Sequence, residues 1–315
     1  MPLAADPGVH QAKRHFATAI IAVHNDWLQL AQCLQSLAGQ TKAPSFEVIV
    51  VDDGSTKNAP ASILDWTAGY PWKFVRQPHL GTAAARNQGI RHSVGDILLF
   101  IDADSIPQDD CLAALGACIT ASPSYNYFQL CLAGVRSTLA GRAEDLRLIA
   151  TQDFLLEPNG CIRYLNTAGF AVRRSCVDTE KGLFDERALR AEDTLLLANL
   201  KRSNQLPLFV RSAIVRHATD LSVAACLRKT VRSALLEART HAIIATLGVD
   251  VLMNNRERFG MLRSIWRISK TKSIGRGACI LLVARQIFRL VTLTVCRILP
   301  GRKPGATIAA DFRQV

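Results

Sequence analysis

Three short acidic runs are the places in this 315-residue chain where chemistry can be done. Val50-Val51-Asp52-Asp53-Gly54-Ser55-Thr56 is an apolar run that ends in two carboxylates and a glycine turn. Gly95-Asp96-Ile97-Leu98-Leu99-Phe100-Ile101-Asp102-Ala103-Asp104 repeats that arrangement, with its last two acids at i and i+2. Ala191-Glu192-Asp193-Thr194-Leu195 puts two acids in what reads as the first turn of a helix. Carboxylates so placed can accept hydrogen bonds from a nucleotide, share a hard divalent ion such as Mg²⁺ or Mn²⁺, or take a proton from a hydroxyl. Each run also has a structural reading. Asp-Gly-Ser is ordinary turn chemistry, a lone Asp-x-Asp fits a solvated loop, and acids at a helix start are favoured by the dipole by about 0.3–1 kcal/mol.

The acids matter only if the fold gathers them. Short β-branched runs alternate with helical patterns through the first half, which predicts an α/β protein with a mostly parallel sheet flanked by helices. Strands are expected at Thr18 to Val23, Phe46 to Val51, Lys73 to Arg76 and Asp96 to Ile101. Asp26 can cap a helix whose Trp27, Leu30, Ala31, Leu34 and Leu37 recur at helical spacing. Helices are also expected after Gly81, over Asp109 to Ala121 and from about Ala191. Further strands are expected at Tyr127 to Ala133 and Leu165 to Val172, with an extended run from Leu208 to Val215. Acids leaving the carboxyl ends of parallel strands border the crevice where such folds bind nucleotides.

The order of the motifs carries more than any one of them. Ile20-Ile21-Ala22-Val23-His24-Asn25, the Asp52-Asp53 turn, Gly81-Thr82-Ala83-Ala84-Ala85-Arg86-Asn87-Gln88-Gly89 and the Asp102-Ala103-Asp104 run follow one another. Ala171-Val172-Arg173-Arg174, Gly182-Leu183-Phe184-Asp185-Glu186 and Glu192-Asp193 come later. This succession, over about residues 17–220, resembles family 2 glycosyltransferases with the Rossmann-like GT-A fold. The resemblance implies an inverting transfer of one sugar from a nucleotide-sugar, UDP by default, to a hydroxyl of a glycan or lipid-linked acceptor. It implies that Asp53 reads the nucleotide base with Arg86 and Asn87 near the same pocket, that Asp104 ligates a divalent metal, and that Asp102 lies against ribose and metal. It implies Asp193 as general base, Glu192 as its orienting partner, and His217 as a further metal or diphosphate contact, although a structural histidine fits position 217 equally well. His24 stands where the family often has a Pro-x-Tyr-Asn motif, and the Gln-x-x-Arg-Trp signature of processive synthases is absent after Glu192-Asp193.

Charge divides the chain. The net +12 sits at one end: from Arg228 onward there are 17 Lys and Arg against four acids, while the preceding residues are nearly neutral. Three regions are therefore expected: a tail at 1–16, a catalytic domain at 17–220, and a basic, partly amphipathic helical region at 221–315 that meets an anionic membrane surface. Arg285, Arg289 and Arg297 interrupt the apolar run Ala278 to Leu299, which favours lying on a bilayer over spanning it. The first 16 residues lack an apolar signal core, so catalysis is expected in the cytoplasm, on the membrane's inner face. Nine cysteines without a Cys-x-x-Cys pair read as reduced core residues. A nucleic-acid partner is disfavoured because few aromatic residues interleave with the basic ones. A sugar nucleotidyltransferase lacks its phosphate-gripping Gly and Lys after the first strand, and a catalytically inactive scaffold would not need every expected acid.

Overall fold

A computed structural model describes residues 15–298 apart from 135–136, 189, 218–221, 252, 254 and 272–273. All but two residues of the expected N-terminal tail, and positions 299–315 of the basic region, lie outside the described residues.

The first half is built as expected. Strand β1 (Ala17–Val23) leads through α1 (Trp27–Ala38) to β2 (Phe46–Asp53), and α2 (Ala61–Leu64) precedes β3 (Trp72–Gln77). Helix α3 (Thr82–His92) then delivers the chain to β4 (Ile97–Asp102). These four strands lie side by side in the order β3-β2-β1-β4, all parallel. Strands β1, β2 and β4 are almost unbroken apolar runs because helices cover both of their faces, whereas β3, at the edge, alternates with exposed Lys73 and Arg76. Ile21, Val48 and Val50 pack with Leu30 and Leu34 of α1, while Ile20, Leu98 and Phe100 pack with Ala83 and Ile90 of α3. Asp26 occupies the position before α1 but its side chain makes no capping bond, leaving its carboxylate for other work.

The second half departs from a parallel sheet. After β5 (Ser105–Pro107), α4 (Cys111–Ala121), β6 (Tyr127–Gly134) and α5 (Leu139–Leu155), the chain forms β7 (Phe170–Arg173), α6 (Glu192–Arg202) and β8 (Leu208–His217). The eight strands form one sheet, β3-β2-β1-β4-β7-β6-β8-β5, in which β7 is antiparallel to β4 and β6, and β5 is antiparallel to β8. The strand expected from Leu165 begins five residues later, because Asn166 spends its side chain capping a single 3-10 turn, accepting from the Ala168 N–H at 2.9 Å. That turn leaves Phe170 opposite Phe100 near the carboxyl end of β4, so β7 must descend.

Helices α7 (Val223–Thr246), α8 (Asn255–Thr271) and α9 (Arg276–Ile298) dock on this layer. Ala143, Leu146 and Ala150 of α5 share a buried cluster with Ile265 and Ile268 of α8 and Leu282 of α9. Leu195 and Ala198 of α6 pack on Ile244 of α7. Arg285 turns inward to Glu144 of α5, while Ile280, Ile287, Phe288 and Val291 form an exposed stripe at helical spacing. Among the described residues no helix is long and apolar enough to cross a membrane.

Candidate active site

The parallel register sets the acidic runs at one edge. Val23 of β1 pairs with Asp52, and Ala22 with Asp102, so the ends of β2 and β4 flank the end of β1 at the same height. Beyond β4 the chain turns at Ala103-Asp104 into β5, whose Ser105 is paired with His217 of β8. That pairing places His217 Nε2 3.3 Å from Asp104 Oδ2, and ligand atoms of Asp102, Asp104 and His217 all lie within 4.8 Å of one another. Two carboxylates and an imidazole at that spacing fit a divalent cation of the Mn²⁺ or Mg²⁺ type. Asp26 belongs to the same neighbourhood: partial burial and the Asp104 charge raise its pKa, while Lys229 of α7 and His24 act against them.

Arg86 joins this group to the third acidic run. Its guanidinium is 3% exposed, donates from Nη2 to Asp102 Oδ1 at 2.7 Å and from Nη1 to Glu192 Oε1, and stacks 5.6 Å from the Phe184 ring centroid. Burial alone would lower its pKa; the Asp102 and Glu192 carboxylates outweigh that and raise it. Arg86 therefore bridges Asp102 and Glu192. Asn87 is fully buried: its Oδ1 accepts from the Leu183 and Phe184 N–H groups at 3.0 Å, and its Nδ2 donates to the Phe184 carbonyl at 2.8 Å. It holds the loop that leads to α6. Gly182, at φ +81°, lies so close that a Cβ there would come within 2.4 Å of the Asn87 amide.

At the start of α6, Ala191 adopts a left-handed conformation, and its predecessor's carbonyl accepts from Thr240 Oγ1 of α7. Asp193 accepts from the N–H of Thr194 at 2.6 Å. Burial, then the neighbouring Glu192 charge, push its carboxyl up to about 7, against the opposing effect of Thr194, Arg86 and Arg190. A carboxylate near neutrality is suited to accept a proton from a substrate.

Asp53 is nearly saturated. It accepts from Gln77 Nε2 at 2.8 Å, the Leu80 N–H at 2.9 Å and the Gly81 N–H at 3.0 Å, and His79 Nδ1 lies 2.9 Å from its Oδ2. His24 stacks on His79 with ring centroids 4.3 Å apart. A base reaching the Asp53 carboxylate would exchange with the His79 imidazole, whose side chain is 52% exposed. By contrast, Asp52 accepts from the Ser55 N–H while its Oδ2 is buried without a hydrogen-bond partner.

The motif spacing pointed to none of Glu144, Arg147 or Tyr164. They are supplied by α5, which Thr138 caps, and by the segment after it.

Residues 18–143 match the sequence model of the family described as glycosyl transferase family 2. Among curated proteins, glycosyltransferase AglE of Haloferax volcanii is 34% identical over 100 residues, 31% of this chain and 33% of that protein. The uncharacterized glycosyltransferase YfnE of Bacillus subtilis is 37% identical over 98 residues, 31% of this chain and 25% of its own length. An N-acetylglucosaminyltransferase of Mesorhizobium japonicum is 38% identical over 89 residues, 27% of this chain and 21% of its own. The likeness thus spans a third or less of these relatives' lengths. Of solved structures, the mannosyltransferase PcManGT of Pyrobaculum calidifontis, in complex with GDP-Man and Mn²⁺, superposes with a TM-score of 0.64 at 16% identity, covering 92% of this chain and 89% of that one. S. aureus TarS 1-349 with UDP gives 0.53 at 19% identity, covering 81% and 72%. At such identities the likeness is one of fold, the GT-A fold.

Proposed function

We propose that the protein, whose residues 18–143 match the glycosyl transferase family 2 model, moves one sugar from a nucleotide-sugar, by default a UDP-sugar, to a hydroxyl of a glycan or lipid-linked acceptor with inversion at the anomeric carbon. The observation that carries this reading is the bridge made by Arg86, which ties Asp102 of the Asp-x-Asp run to Glu192 beside Asp193 and so makes one cluster of two motifs 90 residues apart.

In that reading Asp193 receives the proton of the acceptor hydroxyl as its oxygen bonds to the anomeric carbon and the bond to the diphosphate oxygen breaks. The carboxyl then returns its proton to water. Glu192 is held by Arg86, which fixes the first turn of α6 and hence the direction of Asp193. Asp102, Asp104 and His217 would hold a divalent cation, whose chemistry is to neutralise charge developing on the departing diphosphate. Asp53 is read as the base contact, with His79 giving way to the base. A positioned carboxylate base of this kind contributes about 10²- to 10⁴-fold in rate.

The exposed stripe Ile280, Ile287, Phe288 and Val291, with Arg263, Arg267, Lys270 and Arg276 exposed nearby in the chain, supports peripheral attachment of α8 and α9 to an anionic membrane surface on the cytoplasmic side. The basic region at 221–315 is accordingly read as a membrane-facing extension of the catalytic domain at 17–220.

Hydrolysis of a panel of nucleotide-sugars with Mg²⁺, Mn²⁺ or EDTA tests the reaction. Metal-dependent release of one nucleoside diphosphate, lost in Asp104→Ala, is expected. If no donor is bound or hydrolysed with either metal, the chain is a scaffold that keeps the fold without the reaction.

A further inference from the structure

Behind His217 stand two arginines that share one carboxylate. Glu144, early in α5, accepts from Arg147 Nε at 3.1 Å and Nη2 at 2.7 Å, and from Arg285 Nη1 of α9 at 3.1 Å. One carboxylate facing two guanidiniums leaves the group net positive. Burial alone would raise the Glu144 pKa, but Arg147, Arg285 and then His217 outweigh it and hold the carboxyl below its usual range, so it remains ionised. Arg285 Nε is buried with no hydrogen-bond partner, an arrangement that costs free energy until an acceptor reaches it. The side chains are 30%, 26% and 17% exposed for Glu144, Arg147 and Arg285, so the cluster is open to solvent on one side.

Its position is set by β6 and β8. Asp145, the next residue of α5, accepts from the Gly134 N–H at 2.9 Å, and Gly134 pairs in register with His217. The carboxylate that holds the arginines is thus within electrostatic reach of the imidazole that faces Asp104. Tyr164, whose hydroxyl accepts from Asn166 Nδ2 at 3.1 Å, lies within electrostatic reach of Arg147 and of Asp193. The cluster is thus within electrostatic reach of His217 through Glu144 and of Asp193 through Tyr164.

We infer that Arg147 and Arg285 bind a phosphate carried by the acceptor. The inference rests on the transfer reaction proposed above. Two guanidinium forks converging from different helices suit a tetrahedral, multiply charged oxyanion better than a planar carboxylate, which one fork satisfies. Glu144 keeps the arginines aligned and is the anion that the phosphate competes with.

Calorimetry on the full chain in EDTA, which removes any metal-held phosphate, tests this with decyl phosphate, decyl β-glucoside and decanoate below their micelle concentrations, and with methyl phosphate. Decyl phosphate is expected to bind more tightly than both the glucoside and decanoate. Arg285→Gln should weaken it about tenfold or more, and Glu144→Gln should tighten it, a gain that misfolding cannot imitate. Arg147→Lys, which keeps the charge and loses the fork, should weaken it even if Arg285→Gln fails to fold. Methyl phosphate binding as tightly would name a water-soluble phosphate ester as the source, and markedly weaker methyl phosphate a lipid phosphate; both uphold the site. Decyl phosphate binding no tighter than the glucoside or decanoate, or no tightening in Glu144→Gln, overturns it. Donor hydrolysis needs no acceptor, so hydrolysis without phosphate binding sinks this inference alone and leaves the proposed reaction standing.

Discussion

His217 and Asp104 are 113 positions apart in the chain, yet His217 Nε2 stands 3.3 Å from Asp104 Oδ2 because Ser105 and His217 are partners in the β5–β8 pairing. The three-residue strand β5 therefore decides whether the ligand group closes. His217→Ala should raise the Mn²⁺ concentration needed for half-maximal donor hydrolysis while leaving the unfolding midpoint within a few degrees. Unchanged metal dependence would make His217 a structural histidine.

Asp193 sets a pH dependence. Its carboxyl is raised to about 7, so transfer should climb as pH rises through that value and the base ionises. Asp193→Asn should lose about 10²- to 10⁴-fold in kcat with donor affinity kept. A variant losing affinity and rate alike would point to donor binding instead.

The same shift predicts a stability trend of opposite sign. A carboxyl whose folded pKa lies above its unfolded value, ordinarily about 3.9, favours the folded state while protonated. That contribution is complete below about pH 4 and is lost as pH rises towards 7. The Tm of the wild-type chain should therefore fall relative to Asp193→Asn between these limits. Parallel curves would mean that the carboxyl titrates normally.

Arg86 is a buried link between Asp102 and Glu192, and its loss would leave both acids without that partner. Arg86→Ala should destabilise the fold by about 3–5 kcal/mol, as removal of one partner of a buried ion pair does. Arg86→Lys keeps the charge but cannot reach both carboxylates as a planar fork. It should fold, and lose kcat more than donor affinity. Wild-type kcat in Arg86→Lys would remove Arg86 from the positioning of α6.

Gly182 faces the Asn87 amide at a positive φ that L-residues rarely adopt. Gly182→Ala should cost about 1–2 kcal/mol for the backbone alone, with more from the contact, and shift the loop that leads to Glu192. A Tm unchanged by this substitution would show that the loop relaxes freely.

The sequence by itself determined the first half of the sheet, because fully buried parallel strands are written as unbroken apolar runs, and Ile20–Val23, Val48–Val51 and Ile97–Ile101 are such runs. It also determined where the acids fall, at the ends of those strands and at the start of α6, since strand ends and helix starts follow from local pattern. It did not determine partners. Arg86 and Asn87, side by side in one motif, take unlike roles: one reaches across to Glu192, the other holds the 183–186 loop, and only packing against α6 decides that. Asp26 looked like a cap and instead faces Asp104. The antiparallel pairings of β7 depend on contacts tens of residues apart, and the closing of β5 on β8 and the meeting of Glu144 with Arg285 on contacts more than 100 residues apart. Local periodicity carries no information at that separation; the register of one strand against another and the burial of one helix on the next supply it.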